Sequence, residues 1–307
     1  MNHDYHYPVG RYRLTFKFEQ PVRSKEYLGV QFQRWINQLL RQLVCFTKAS
    51  HCEGCFLQDR CTYALSVLPV QQYLFSFPWH TGEGGNQDDV IFWQETVPFE
   101  LILIGDVQTQ IAIYVYVLQK LFATKLKYFG AKGLLDDVAV YDYERCAFQS
   151  IWDKETETLV DSLEKTFCIP KKSTPTVITD LSLMLITPLK VNVPILNIYE
   201  FFRILIARVK QSEQHYNQVF MDQTISVDTI LPLLDQIAFE PNLQLTTWKQ
   251  FLHMQKKPIH FEGWLGEIRM TGVALTQLLP FFRLGEVLHL GRNTNLGLGH
   301  YQLMIKS

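Results

Sequence analysis

The sequence predicts an α+β protein in which one small βαββαβ unit is used twice in tandem. Three observations carry that prediction. Stretches with period-2 alternation are interleaved with amphipathic helical ones, the order of these elements repeats after residue 176, and a run rich in proline and lysine, "CIPKKSTPT" (168–176), separates the copies. At 307 residues, 47% hydrophobic and 19% charged, the chain is long enough for two ordinary domains and apolar enough to bury a core in each. The expected domains are 1–168, with a cysteine-rich insertion, and 176–307.

The first copy opens with "RYRLTFKFEQ", where Tyr12, Leu14, Phe16 and Phe18 alternate with Arg11, Arg13, Thr15 and Lys17. This is a half-buried strand, and its open face is expected to be cationic and suited to RNA. Leu28, Phe32, Trp35, Ile36, Leu39, Leu40, Leu43 and Val44 then recur at helical spacing, which puts Gln31, Arg34, Asn37, Gln38 and Arg41 on the polar side of a helix ending near Phe46. Strands follow near Gln71–Phe77 and Pro98–Val107. The segment 108–130 is ambiguous, because its alternating aromatic and β-branched residues read as strand while its length suits a helix. "DDVAVYDYERC" (136–146) reads as a closing strand, and with a helix at 108–130 the order becomes βαββαβ, the ferredoxin-like (RRM-like) unit.

The second copy repeats the order. A strand is expected in "VITDLSLMLITPL" (177–189), a helix in 199–216, a hairpin in 246–272, a helix in "LTQLLPFFRLGEVL" (275–288) and a last strand in "HYQLMIK" (300–306). The longest apolar run, Ile111–Leu118, falls far short of the roughly 20 residues of a membrane span, and no apolar leader follows Met1, so a cytoplasmic protein is expected.

Net charge is −1, but its distribution is uneven. Between Arg11 and Lys48 eight basic residues face two acidic ones, and from Phe251 onward six face three, with four histidines besides. Such ends could form a phosphate-binding surface if the fold brings the charges together, or could be solvated faces. Gly297 and Gly299 in "GRNTNLGLGHYQLMIKS" (291–307) mark either a tight turn or a place where main-chain N–H groups meet phosphate. Cys45, Cys52, Cys55 and Cys61, spaced C-x6-C-x2-C-x5-C, suggest structural zinc in tetrahedral thiolate more than disulfides. No Asp/Glu/His cluster has the spacing of a catalytic metal site.

"FEGWLGEI" (261–268) and "LLPFFRLGEVLHLGRNTNLGLGHYQL" (278–303) resemble the C-terminal signature of the CRISPR-associated endoribonucleases that process precursor CRISPR RNA, members of the repeat-associated mysterious protein (RAMP) superfamily. "RYRLTFKFEQPV", "EYLGVQFQRWINQLLRQLVC" and the cysteine segment resemble the N-terminal part of the same family. The resemblance implies two ferredoxin-like domains with CRISPR repeat RNA across their cleft, and other CRISPR effector subunits as further partners. It also implies a glycine-rich RNA-binding loop, matched here by Gly291, Arg292, Asn293, Thr294, Gly297, Gly299 and His300, with Lys256, Lys257 and Arg34 as added basic points. Relatives more often have Arg where His300 stands.

The implied chemistry is metal-independent: the 2′-hydroxyl attacks the adjacent phosphate and leaves a cyclic phosphate and a 5′-hydroxyl. It needs a base, an acid and a cation for the developing charge. Many relatives carry a His on or just after the first helix, where Gln38 stands here, and Gln cannot exchange a proton. The nearest replacement is His51, with Lys48 and Tyr63 as charge stabilisers and His289 and His300 as second candidates. A catalytically inactive RNA-binding subunit of a CRISPR effector complex is the alternative, and a scaffold without RNA binding a third reading.

Overall fold

In a computed structural model, which describes residues 5–7, 9–68, 70–79, 90–143, 145–160, 167–169, 177–192, 194–216, 227–251 and 258–306, the alternating run of the N-terminus forms β1 (Val9–Phe18). The chain divides into two units. One holds Pro8–Phe167 and Trp248–Ile259; the other holds Met1–Tyr7, Cys168–Thr247 and His260–Ser307.

The N-terminal unit continues with α1 (Gly29–Val44), α2 (Thr62–Val67), β2 (Tyr73–Ser76), β3 (Thr96–Ile104), α3 (Ile111–Thr124), β4 (Gly133–Asp142) and β5 (Ala147–Ser150). The sheet runs β2–β3–β1–β4–β5 with every pair antiparallel. Without the edge strand β5, that is the four-stranded order of a βαββαβ unit, in which the first strand lies between the third and fourth. The ambiguous segment is helical. In α3 the buried residues Ile111, Tyr114, Val115, Val117, Leu118, Leu121 and Phe122 leave almost no polar stripe, which is why local alternation resembled a strand.

Aromatic packing holds α1 and α3 against one face of this sheet. Phe16 stacks on Phe122 with centroids 3.7 Å apart, and Phe32 stacks on Phe99 at 5.6 Å. All four rings are fully buried. Offset ring pairs of this kind add about 0.5–1.5 kcal/mol each beyond their burial.

The opposite face of β1 differs from expectation. Arg11, only 3% exposed, and Arg13 both bond the Glu100 carboxylate, with Arg11 Nη2 2.9 Å and Arg13 Nη2 2.6 Å from its oxygens. Phe148 of β5 caps Arg13 at 3.8 Å, and Tyr141 of β4 lies 5.0 Å from Arg11. Lys17 pairs with Asp136 at 2.9 Å, so the strand's cations are neutralised rather than presented to RNA.

The C-terminal unit contains β6 (Asp180–Leu189), α4 (Ile198–Tyr216), α5 (Val227–Leu234), β7 (Ala238–Phe251) as far as Thr247, β8 (Pro258–Thr271) from His260, α6 (Leu275–Leu288) and β9 (Tyr301–Lys306). Its sheet order, β7–β8–β6–β9, repeats the same topology. Phe202 of α4 meets Phe282 of α6 edge-on at 5.3 Å. The hairpin begins at Ala238, earlier than its sequence pattern indicated, and α5 precedes it as an added helix. Among the described residues no helix is long and apolar enough to cross a membrane.

The Arg11–Glu100–Arg13 cluster generates a stability prediction. Glu100→Ala removes the carboxylate from a guanidinium that is 3% exposed, and it should lower unfolding free energy by about 3–5 kcal/mol in urea titration. A loss under about 1 kcal/mol would equal a surface ion pair and refute the buried-pair assignment.

Candidate functional site

The functional geometry of the N-terminal unit begins where α1 stops. Cys45 turns to extended backbone and ends the helix. Arg41, in the last turn, donates through Nη2 to the carbonyl oxygens of Ala49 and, at 3.1 Å, Ser50, so the loop folds back over the helix end. That fold places Lys48 in the left-handed region at φ 51°, which a lysine rarely adopts. Tyr63 of α2 lies beneath the Arg41 guanidinium, 5.7 Å from its ring centroid.

Asn37, Gln38, Arg41, Gln42, Cys45, Lys48 and Tyr63 together line a cavity of about 540 Å³. The Tyr73 hydroxyl of β2 fixes Asn37 by donating to its Oδ1 at 2.7 Å. Burial pushes the Tyr63 phenol above its ordinary pKa and Arg41 partly opposes this. Tyr63 therefore remains protonated at neutral pH and can donate to an anionic oxygen but cannot serve as a base. The cavity offers cations and hydrogen-bond donors, and no histidine is among the described residues that line it.

His51 lies elsewhere. It is exposed and lines a second cavity of about 440 Å³, together with all four clustered cysteines. Cys45 is common to both cavities. Lys48 and Tyr63 thus line one cavity with Gln38, and His51 lines the neighbouring one. Arg41, noted in the sequence only as part of a polar helix face, is the residue that organises the site.

The thiols are arranged by a tight turn, in which the Cys55 N–H donates to the Cys52 carbonyl at 3.0 Å and Gly54 takes φ 76°. Thr47 Oγ1 lies 3.9 Å from Cys45 Sγ and 3.7 Å from Cys55 Sγ. That hydroxyl is the main cause holding the Cys45 thiol below its ordinary pKa, while burial raises that of Cys52. Four thiols suit zinc chemically. Among the described residues, however, no three His, Cys, Asp or Glu side chains converge on one point, so an ion would have to draw the sulfurs together.

In the C-terminal unit the chain leaves α6 through His289 at φ 57° and passes Gly291, Asn293, Gly297 and Gly299, all with positive φ. The Gly297 N–H donates to the Thr294 carbonyl at 3.0 Å and the Gly299 N–H to the Pro188 carbonyl at 3.0 Å. The two amides expected to meet phosphate are thus engaged inside the domain. A Cβ on Gly299 would stand 1.8 Å from the Leu290 carbonyl oxygen, and one on Gly291 2.4 Å from that of Lys190. Close backbone packing explains these glycines.

The loop residues differ sharply in exposure. Arg292 is exposed and Asn293 half-buried, whereas Thr294, Gly297, Gly299 and His300 are buried. His300 stacks on the buried His289 with centroids 4.8 Å apart. Arg34 is exposed on α1. Lys256 and Lys257 lie outside the described residues. Lys190, which no motif marked, is beside Arg292, whose N–H donates to the Lys190 carbonyl at 2.8 Å. Only the pairing of distant segments reveals it.

The glycine geometry can be tested by stability. Gly299→Ala combines an unfavourable φ with a backbone clash and should cost more than about 2 kcal/mol, whereas Gly54→Ala, at similar φ with nothing within 4 Å, should cost only about 1–2 kcal/mol. Equal melting temperatures for the two variants would mean that position 299 is not closely packed.

Two family models match the chain. One, described as an N-terminal domain, covers residues 7–164, and the other, described as CRISPR-associated endoribonuclease Cas6, covers residues 173–301. No curated protein matches the sequence. Among solved structures, a Thermus thermophilus Cas6 product complex matches at TM-score 0.51 and 13% identity, covering 96% of this chain and all of that one. A RAMP protein binding different RNA substrates matches at TM-score 0.52 and 12% identity, over 96% of this chain and 99% of that one. A partial Cas6-RT-Cas1–Cas2 complex matches at 0.54 and 11%, over 99% of this chain and 47% of that one. At these identities the structural likeness speaks for the fold, and its tandem ferredoxin-like form agrees with the duplicated topology. The family model over residues 173–301, with the shared fold in agreement, places that part of the chain in the CRISPR-associated endoribonuclease Cas6 family.

Proposed function

We propose that this chain binds precursor CRISPR RNA in the cytoplasm and cleaves it within the repeat by metal-independent attack of a 2′-hydroxyl on the adjacent phosphate. The observation that supports this most is the cavity at the end of α1, where Gln38, Arg41, Lys48 and Tyr63 meet. In the reaction the 2′-oxygen bonds phosphorus as the P–O5′ bond breaks; a base takes the 2′ proton and an acid protonates the leaving 5′-oxygen. The RNA supplies its own nucleophile, so the protein has to provide proton transfer and charge stabilisation.

Each residue has a role suited to its surroundings. The Lys48 ammonium faces the charge that develops on the phosphoryl oxygens, the protonated Tyr63 hydroxyl donates toward the leaving oxygen, and Gln38 orients the phosphate by hydrogen bonding. Arg41 is a positioning residue, because its guanidinium holds the loop through Ala49 and Ser50. His51, on the same loop, is the proposed proton carrier although it lines the neighbouring cavity.

A second reading, an RNA-binding subunit of a CRISPR assembly without cleavage, is favoured by the lack of histidine among the described residues lining the Gln38 cavity. Incubating the protein with repeat RNA in EDTA distinguishes the two. Cleavage should proceed there and stop when the scissile nucleotide is 2′-deoxy, with binding retained; cutting of the deoxy substrate would refute the mechanism.

Substitutions apportion the roles. Lys48→Ala should slow cleavage about 10²-fold, as for loss of one charge-stabilising group, and His51→Ala by about 10² or more, as for loss of a general acid or base. Gln38→His should accelerate it. An unchanged rate in His51→Ala removes that residue from the chemistry and leaves Lys48 and Tyr63.

We also propose that Cys45, Cys52, Cys55 and Cys61 hold one structural zinc, with no catalytic metal. Metal analysis of protein purified without added metal should return about one zinc per chain. Metal-free protein with four titratable thiols would eliminate the site.

A further inference from the structure

Lys190 and Arg292 come from opposite ends of the C-terminal unit's sequence and are joined at the backbone. Besides the 2.8 Å bond from the Arg292 N–H to the Lys190 carbonyl, Gly291 presses against that carbonyl at φ 78°, where a side chain would collide. The apposition is therefore built in by glycine. The Lys190 ammonium sits 4.1 Å from the centroid of the Phe261 ring on β8, which supplies attraction without neutralising its charge. Burial lowers the Lys190 pKa and Arg292 lowers it further, with Glu262 acting weakly in the opposite sense, so two like charges are held close enough to repel each other. Arg292 is exposed and Lys190 half-buried.

We propose that Lys190 and Arg292 form a two-cation subsite for one phosphodiester of single-stranded RNA, with Phe261 as the positioning residue that aims the Lys190 ammonium. Glu262 offsets the pair only in part, so holding two cations together is unfavourable in the free protein, and an anion between them removes the repulsion. Arg292 supplies a planar fork and Lys190 a compact charge, a complementary pair for the oxygens of one phosphate. The subsite rests on the RNA-binding reading above, but it assigns the contact to two side chains instead of to the amides of Gly297 and Gly299.

The test is binding of a uridine homopolymer across a salt series by the wild-type protein and by Lys190→Gln, Arg292→Gln, the double variant, Phe261→Leu and Phe261→Tyr, with melting temperatures recorded. Each single charge variant should lower the slope of log affinity against log salt by about 0.7, and the double variant by about 1.4. Phe261→Leu should weaken binding about two- to fivefold, and Phe261→Tyr, which keeps the aromatic face, should restore it. Melting temperatures should stay near wild type. A wild-type slope and affinity in Lys190→Gln, beside a lowered slope in Arg292→Gln, overturns the subsite while leaving RNA binding intact. Failure of the wild-type protein to bind any RNA overturns both the subsite and the reading on which it rests.

Discussion

Each sheet must cover one face with its own two helices, and that single requirement decides where function can be placed. In the N-terminal unit Phe32 of α1 and Phe122 of α3 are committed to the sheet through Phe99 and Phe16. The other face is closed by the Arg11–Glu100–Arg13 cluster under Phe148. The side chains lining the cavity described above lie instead at a helix end and in a loop. The α1 terminus carries Gln38, Arg41 and Lys48, and the segment after α6 carries Arg292.

The elements themselves were readable because their periodicity reports burial. Tyr12, Leu14, Phe16 and Phe18 alternate with residues on the other face, and all four are buried, so the first strand and its inner side were legible. The segment at 108–130 was not, because α3 is buried around most of its circumference and leaves no amphipathic contrast. The hairpin start at Ala238 was likewise hidden, since nothing in the composition of the 238–245 stretch separates strand from loop.

The candidate site was less legible, for a different physical reason. Arg11 and Arg13 looked like an open cationic face because Glu100 is far away in sequence and meets them only through the β1–β3 register. His51 and Lys48 are close in the chain, yet with a left-handed residue at Lys48 and a bond from Arg41 to Ala49 they line adjoining cavities that share Cys45. The glycine spacing correctly signalled special backbone, but the atoms close to Gly299 belong to Leu290 of the same domain. Motifs of this kind announce that a backbone is constrained and are silent about the direction in which its donors point.

The segment from Gly291 to Gly299 is pinned by five main-chain hydrogen bonds: Arg292 to Lys190, Leu296 to Asn293, Gly297 to Thr294, Leu290 to Gly299, and Gly299 to Pro188. A flexible loop loses conformational entropy when it closes on a ligand, and that loss subtracts from affinity. Here the ordering has already taken place during folding. The exposed Arg292 stands on a main chain with little freedom left to surrender, so in the proposed subsite only its side-chain torsions remain to be fixed.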